Sequence, residues 1–108
     1  MKFSNPYFTI EEKLSLLQRW ILVHSMLYYR FNSAIATDQR FDDTCKQYLE
    51  LRNTNPFAKG RYDYAFEGFD GSTGFDLESK LSEHHHWLVQ QDAYLVMKNK
   101  NRKDIKLC

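Results

Sequence analysis

One stretch in the first half of the chain, from Tyr28 to Asp42, limits what the chain can fold into. Two adjacent aromatic residues precede a short polar link, and a Thr37-Asp38 pair follows it. A threonine hydroxyl accepts a backbone N–H at a helix start, and an aspartate suits the positive end of a helix. The stretch therefore predicts an antiparallel hairpin of two helices, joined by a tight link at residues 32–34.

A hairpin of this kind brings side chains from both helices to one mouth. Tyr28 and Tyr29 end the first helix, whereas Asp38, Phe41 and Asp42 begin the second. Aromatic faces beside carboxylates suit a flat ring with a positive charge or polar edges. We predict a ring-binding site at these five residues. The same residues also suit a plain hairpin core with acidic helix starts, so that alternative stays open.

Capping signals and apolar spacing set the helix bounds. Thr9 and Glu12 fit a capping box, and the helical pattern then continues to about Phe31. This first helix carries two apolar stripes, which predicts either the central helix of a bundle or a partner surface. The second helix is predicted from about Asp38 to Arg52. One stripe of the first helix contains Ile10, Leu14, Leu17, Ile21, His24 and Tyr28.

The second half of the chain is harder to interpret. Residues 57–75 are rich in glycine and aromatic residues, and their alternation permits either a short β segment or a packed loop. Leucine spacing predicts a third helix from about Leu77 to Lys98, followed by a basic tail at 99–108. Consecutive helical side chains point about 100° apart, so the run 84–86 of three histidines predicts one packed ring and two solvated rings rather than a metal site.

These elements predict one mainly α domain over residues 1–108. It is a small helical bundle built on the hairpin at 9–56, with the connector 57–75 and a third, C-terminal helix at 76–98. A hydrophobic share of 43% supports a folded chain. The net charge of +1 gives no general reason to expect nucleic acid as a partner, and the basic tail suits a solvated end.

Cysteine usage and the chain start predict a compartment. Cys45 and Cys108 form no metal-ligand spacing and no disulfide framework. The start lacks the apolar region of a signal peptide, and no apolar run approaches the length of a membrane span. We therefore expect a cytoplasmic protein, in the host cell if the chain is encoded by a phage.

The hairpin spacing resembles the N-terminal Ia domain of bacterial NAD-dependent DNA ligases. In that motif a Tyr-Tyr or Tyr-His pair is followed by eight residues, an aspartate, two residues and Tyr-Asp. Tyr28-Tyr29, the eight residues 30–37, Asp38 and Phe41-Asp42 follow this spacing. The resemblance covers about residues 10–56. The size of the chain is closer to small phage proteins related to these ligases than to a whole ligase.

The ligase domain binds the nicotinamide mononucleotide (NMN) half of NAD. The resemblance therefore implies that Tyr28 and Phe41 contact the nicotinamide ring and that Tyr29 stands near ribose or phosphate. It also implies that Asp38 and Asp42 accept hydrogen bonds from ribose hydroxyls or the carboxamide. Phe41 replaces the usual tyrosine of the family, and Tyr29 stands where many ligases have histidine.

The chain lacks the Lys-x-Asp-Gly motif that supplies the ligase nucleophile, so it cannot ligate by itself and is predicted to be non-enzymatic. The preferred hypothesis is a small phage-type protein that binds and inhibits or modulates a host protein, such as a defence or replication factor. The apolar first helix and the aromatic residues 62–75 would supply the contacts. The alternative is a module that sequesters or presents NMN or NAD. Neither hypothesis requires a cofactor, and a homodimer is compatible with both.

Overall fold

Three α-helices form most of the protein. The computed structural model describes residues 8–71 and 76–106. Helix α1 spans Ile10–Tyr29, α2 spans Asp38–Thr54 and α3 spans Glu83–Lys106. Two short 3₁₀ turns, Asp63–Ala65 and Glu78–Lys80, lie between α2 and α3, and the described residues contain no strand. The prediction of a mainly α bundle with a third helix after the hairpin is confirmed.

Helix α1 begins at its predicted cap and ends slightly early. The Thr9 hydroxyl accepts the N–H of Glu12, and the Glu12 carboxylate accepts the N–H of Thr9. After Tyr29 the next two N–H groups both donate to the carbonyl of Met26, and Asn32 adopts a φ of +49°. Asparagine tolerates this left-handed conformation better than most residues, so the chain turns there into the link.

Helix α2 also begins at its predicted cap. The Thr37 hydroxyl accepts the N–H of Arg40 at 3.1 Å, and the helix continues to Thr54, slightly beyond the predicted end. Cys45 lies on its buried face, where desolvation raises the pKa of the thiol to about 12. The thiol is therefore protonated and acts as a small apolar side chain.

Helix α1 is the centre of the bundle. It packs against α2 on one side and against α3 on the other. Val89 and Ala93 of α3 are fully buried against this core. Most of the apolar surface of α1 is therefore covered within the chain, with Tyr28 at its end exposed, which confirms the central-helix interpretation. The buried apolar residues of α1 are Leu14, Leu17, Ile21, Leu22, Val23, Met26 and Leu27.

Helix α3 begins at Glu83, so the predicted start at Leu77 is wrong. Leu77 is buried, but it precedes the 3₁₀ turn 78–80. The cap of α3 is Ser82, whose hydroxyl accepts the N–H of His85 at 3.3 Å. A serine before a glutamate indicates a helix start at this point. The leucine spacing predicts an earlier start because Leu77 continues the apolar pattern of α3, although it fills the core from outside the helix.

The predicted end of the third helix at Lys98 is also wrong. Helix α3 continues to Lys106, so most of the predicted basic tail 99–108 is helical. Neither proline nor glycine follows Glu83 to end the helix earlier. Cys108 lies outside the described residues.

The connector forms turns, and a strand at residues 62–66 is not present. A strand would bury alternate side chains, whereas Tyr62, Ala65 and Phe66 are buried and Tyr64 is 44% exposed. This spacing matches the 3₁₀ turn Asp63–Ala65. Residues 72–75 of the predicted connector, including Gly74 and Phe75, lie outside the described residues.

A buried amide joins the connector to the hairpin. The Gln18 amide nitrogen donates to the Tyr48 hydroxyl at 3.2 Å and to the Asp63 carboxylate at 2.7 Å. The Gln18 oxygen accepts the N–H of Tyr62 at 2.9 Å. Arg52 donates to the second oxygen of Asp63 at 2.7 Å. Because each polar atom of Gln18 has a partner, its burial stabilises the fold rather than opposing it.

We expect Gly60→Ala to lower the free energy of unfolding by about 1–3 kcal/mol. A Cβ at Gly60 would lie 2.7 Å from Cδ and 2.8 Å from Nε2 of Gln18, and closer still to its oxygen. The Gln18 amide would have to leave its hydrogen bonds. Urea unfolding followed by circular dichroism measures the loss.

The matched control is the same substitution in a Gln18→Ala background, where the clash is removed. There we expect Gly60→Ala to cost less than about 0.5 kcal/mol. An equal cost in both backgrounds would show that the close approach between Gly60 and Gln18 is not the cause.

Candidate functional site

The five residues predicted to bind a ring line one cavity at the mouth of the hairpin. The cavity has a volume of about 270 Å³. Ala34, Ile35 and Ala36, from the segment between α1 and α2, form its third wall. The structure thus brings the five together, and their role in binding stays a prediction. They are Tyr28 and Tyr29 at the end of α1, and Asp38, Phe41 and Asp42 at the start of α2.

The aromatic residues of this cavity differ in exposure. Tyr28 and Tyr29 are 53% and 44% exposed, and their rings meet edge to face with centroids 4.7 Å apart. Phe41 is half-buried and packs against Trp20 at a centroid distance of 6.1 Å. The cavity therefore has an exposed tyrosine rim on α1 and a phenylalanine wall on α2 that is supported by the core.

The two carboxylates of the cavity are available to a ligand. Asp38 and Asp42 are both exposed. Within the described part of the chain, neither carboxylate forms an ion pair or accepts a side-chain hydrogen bond. Their negative charge favours a ligand that carries a positive charge or hydrogen-bond donors near the rim.

Two further residues, His24 and Ser25, line the same cavity and were not predicted to belong to it. They lie one helical turn before Tyr28 and Tyr29 on α1. Nδ1 of His24 and Oγ of Ser25 are buried and have no hydrogen-bond partner among the described residues. The sequence signal was a pair of polar residues inside the apolar face of α1, four positions before the tyrosine pair.

The imidazole of His24 is neutral at physiological pH. The centroid of its ring lies 4.1 Å from the centroid of the Trp20 ring. The guanidinium carbon of Arg40 lies over the Trp20 ring, 5.9 Å from its centroid. Burial, and then the positive charge of Arg40, lower the pKa of His24 to about 4. A neutral imidazole presents one N–H donor and one acceptor nitrogen.

Ion pairs fasten the end of α1 beside the cavity. Arg30 donates to the Glu78 carboxylate at 2.6 Å, and His86 contacts the same oxygen at 2.8 Å. Glu78 therefore links Arg30, which follows Tyr29, to His86 of α3. These contacts are partly exposed, so they position the chain more than they stabilise it.

The three consecutive histidines point to different partners. His84 is exposed, His85 contacts the Tyr64 hydroxyl at 2.6 Å, and His86 contacts Glu78. The prediction of one packed and two solvated rings is therefore wrong, since two of the three are engaged. No group of histidine, cysteine and acidic residues able to hold a metal ion is found among the described residues.

The two features that predicted a protein-binding surface are mostly covered inside the molecule. Helices α2 and α3 pack against the apolar residues of α1, and Tyr62 and Phe66 of the connector are buried, whereas Tyr28 and Tyr64 are exposed. A different apolar surface is exposed on α3, which we call the α3 patch. It consists of Trp87, Tyr94 and Leu95, which are 58%, 50% and 53% exposed.

Comparisons of this chain with protein-family models, curated proteins and solved structures found no match. The resemblance to the ligase Ia domain therefore stays a prediction that rests on the spacing of residues 28–42. None of the described helices combines the length and the apolar character needed to cross a membrane.

We expect the free energy of unfolding to fall as the pH is lowered from about 7 to about 4. Unfolded His24 takes up a proton near its ordinary pKa of 6.5, whereas folded His24 resists protonation until the pH reaches about 4. The free energy of unfolding falls by on the order of 2 kcal/mol, a figure reduced to allow for the partial exposure of His24. Below a pH of about 4 the contribution of His24 no longer changes. Urea unfolding at several pH values measures it.

Two variants test the assignment to His24. In His24→Phe, which keeps an aromatic ring against Trp20, the pH dependence should become shallower. Part of it should remain, because burial also lowers the pKa of His85, with Arg61 adding to the effect. His85→Phe, which removes the other histidine whose pKa is lowered, should keep the part of the slope that His24 causes. An unchanged slope in His24→Phe would contradict the assignment.

Proposed function

We propose that this chain is a non-enzymatic binding module whose hairpin mouth accepts the nicotinamide ring of NMN or NAD. The observation that carries the proposal is the meeting of five residues, separated in sequence by the link, around one cavity. Two exposed carboxylates and three aromatic side chains give that cavity the chemistry which a cationic aromatic ring requires. Such a module would sequester the nucleotide or present it to another protein.

The size of the cavity supports a ring-sized occupant. Its volume of about 270 Å³ lies just below the range of roughly 300–1,000 Å³ that is common for small-molecule sites. A nicotinamide ring would enter between Tyr28 and Phe41, while ribose and phosphate would extend outward past the rim. Tyr29 and the two aspartates lie at that rim.

We expect NMN to bind saturably and Asp42→Asn to weaken this binding by about ten-fold or more. The substitution keeps the size of the side chain and removes the charge that attracts the pyridinium ring. Titration calorimetry at low and moderate salt measures both dissociation constants. Reduced NMN, which has a neutral ring, should bind more weakly than NMN to the wild-type protein.

Asp43→Asn is the matched control, because Asp43 is the next residue of α2, is also exposed and does not line the cavity. It accepts a hydrogen bond from Gln39 on the same helix. We expect Asp43→Asn to bind NMN as the wild type does. Absence of saturable binding by the wild type, or equal effects of the two substitutions, would contradict the proposed site.

A second candidate function is the binding of another protein through the α3 patch. Trp87, Tyr94 and Leu95 lie at positions that share a helix face, and each is at least half exposed. Aromatic residues of this kind anchor many protein interfaces. A host defence or replication factor, or a second copy of this chain, would be the partner.

We expect a partner captured from host lysate to be lost with the Trp87→Ser/Leu95→Ser variant and kept with Asp42→Asn. The double substitution removes the apolar contacts and leaves the hairpin cavity intact. Light scattering of the purified protein, compared with that of the double variant, tests self-association through the same surface. Equal capture by wild type and double variant, with no change in mass, would reject the α3 patch as an interface.

A further inference from the structure

The buried polar side chains of helix α1 differ in whether they have hydrogen-bond partners. Gln18, which is fully buried, has a partner for each of its polar atoms. His24 and Ser25 supply the two buried side-chain atoms without a hydrogen-bond partner among the described residues. Both residues line the hairpin cavity. Leaving such atoms unpaired costs free energy, so their place in one cavity points to a ligand that pairs with them.

We infer that His24 and Ser25 form a carboxamide subsite at the floor of the hairpin cavity. The inference rests on the proposed function and extends it to ligand specificity. The subsite makes the protein select nicotinamide nucleotides over the corresponding nicotinic acid nucleotides. The two kinds of nucleotide differ only in one group of the ring, which is a neutral amide in the first and an ionised carboxylate in the second. The preference for one ligand therefore depends on the residues of the cavity floor and on the charges around them.

The hydrogen-bonding capacity of the floor matches an amide. A neutral imidazole and a hydroxyl can each donate and accept, and a primary carboxamide offers two N–H donors and one acceptor oxygen. Ser25 is 3% exposed, and both its Oγ and Nδ1 of His24 have almost no solvent-accessible surface in the empty cavity. A rotation of the two side chains must therefore bring these atoms to the carboxamide, which then pairs with them without bringing a charge into the cavity.

The charges of the cavity oppose a carboxylate. A nicotinic acid ring would place a negative group on a floor that holds a neutral His24, in a cavity whose rim already carries Asp38 and Asp42. A carboxylate accepts hydrogen bonds only, and it would lose hydration on entering. The positive charge of Arg40 acts at His24 and offsets part of this repulsion, but Arg40 does not line the cavity and so does not offer a direct partner.

The first test compares NMN with nicotinic acid mononucleotide on the wild-type protein at neutral pH. Ribose and phosphate are the same in the two ligands, so the ratio of dissociation constants reports the amide alone. We expect the acid to bind at least about ten-fold more weakly. Trp20, whose ring packs against His24 at a tilt of 32°, provides a fluorescence signal once Trp87, the other tryptophan, is replaced in a Trp87→Phe background.

The second test uses Ser25→Ala and His24→Phe. Each removes floor hydrogen bonds while keeping a similar shape, and we expect each to reduce the ratio to about three-fold or less. Ser15→Ala is the control, because Ser15 lies on the same helix and does not line the cavity; its hydroxyl donates to the Glu11 carbonyl and accepts the N–H of Arg61. The control should keep the wild-type ratio. Thermal unfolding of each variant verifies that it is folded.

The outcomes separate this inference from the proposed function. Saturable NMN binding with a similar affinity for the acid overturns the carboxamide subsite and leaves the ring site standing. A large ratio that neither Ser25→Ala nor His24→Phe changes overturns the assignment to these two residues. No saturable binding of NMN overturns the proposed function together with the subsite.

Discussion

The fold depends on the buried amide of Gln18. It lies on the central helix, and its hydrogen bonds reach α2 through Tyr48 and the connector through Tyr62 and Asp63. Burial alone would raise the pKa of Asp63, but hydrogen bonds from Arg52, Gln18 and the Gly60 N–H together lower it. The ionised carboxylate therefore holds the connector against the hairpin. Loss of the Gln18 amide would remove these partners from the Tyr48 hydroxyl and the Tyr62 N–H together, so the network couples α1, α2 and the connector.

The features that were predictable from sequence are those set by local chemistry. Thr9 and Thr37 fixed two helix starts, because a capping hydroxyl acts within a few residues of itself. The start of α3 was missed since Leu77 fills the core from a turn, and leucine spacing does not distinguish a turn from a helix. The connector was undecided because its shape depends on Gln18, which is distant in sequence.

The candidate site also contains residues that the sequence predicted and residues that it did not. Spacing placed its rim residues, Tyr28 and Asp42 among them, because a hairpin brings a helix end beside a helix start. Its floor was not predicted, since His24 follows the apolar spacing of α1 and resembles a core residue. Only the packed structure shows that its Nδ1 has no partner and that Ser25 beside it has none among the described residues. Polar residues on an apolar face identify a site once their partners can be counted.

The contrast between Gln18 and His24 connects stability with function. Both lie on the central helix, yet each polar atom of Gln18 has a partner, whereas Nδ1 of His24 has none among the described residues and the pKa of His24 is lowered. Such a floor costs stability in the empty protein, and a ligand that pairs with it returns part of that free energy on binding. The network around Gln18 joins α1 to α2 and to the connector, at a point on α1 that does not line the hairpin cavity. The unpaired polar atoms of this floor are the feature on which we base the proposed binding site.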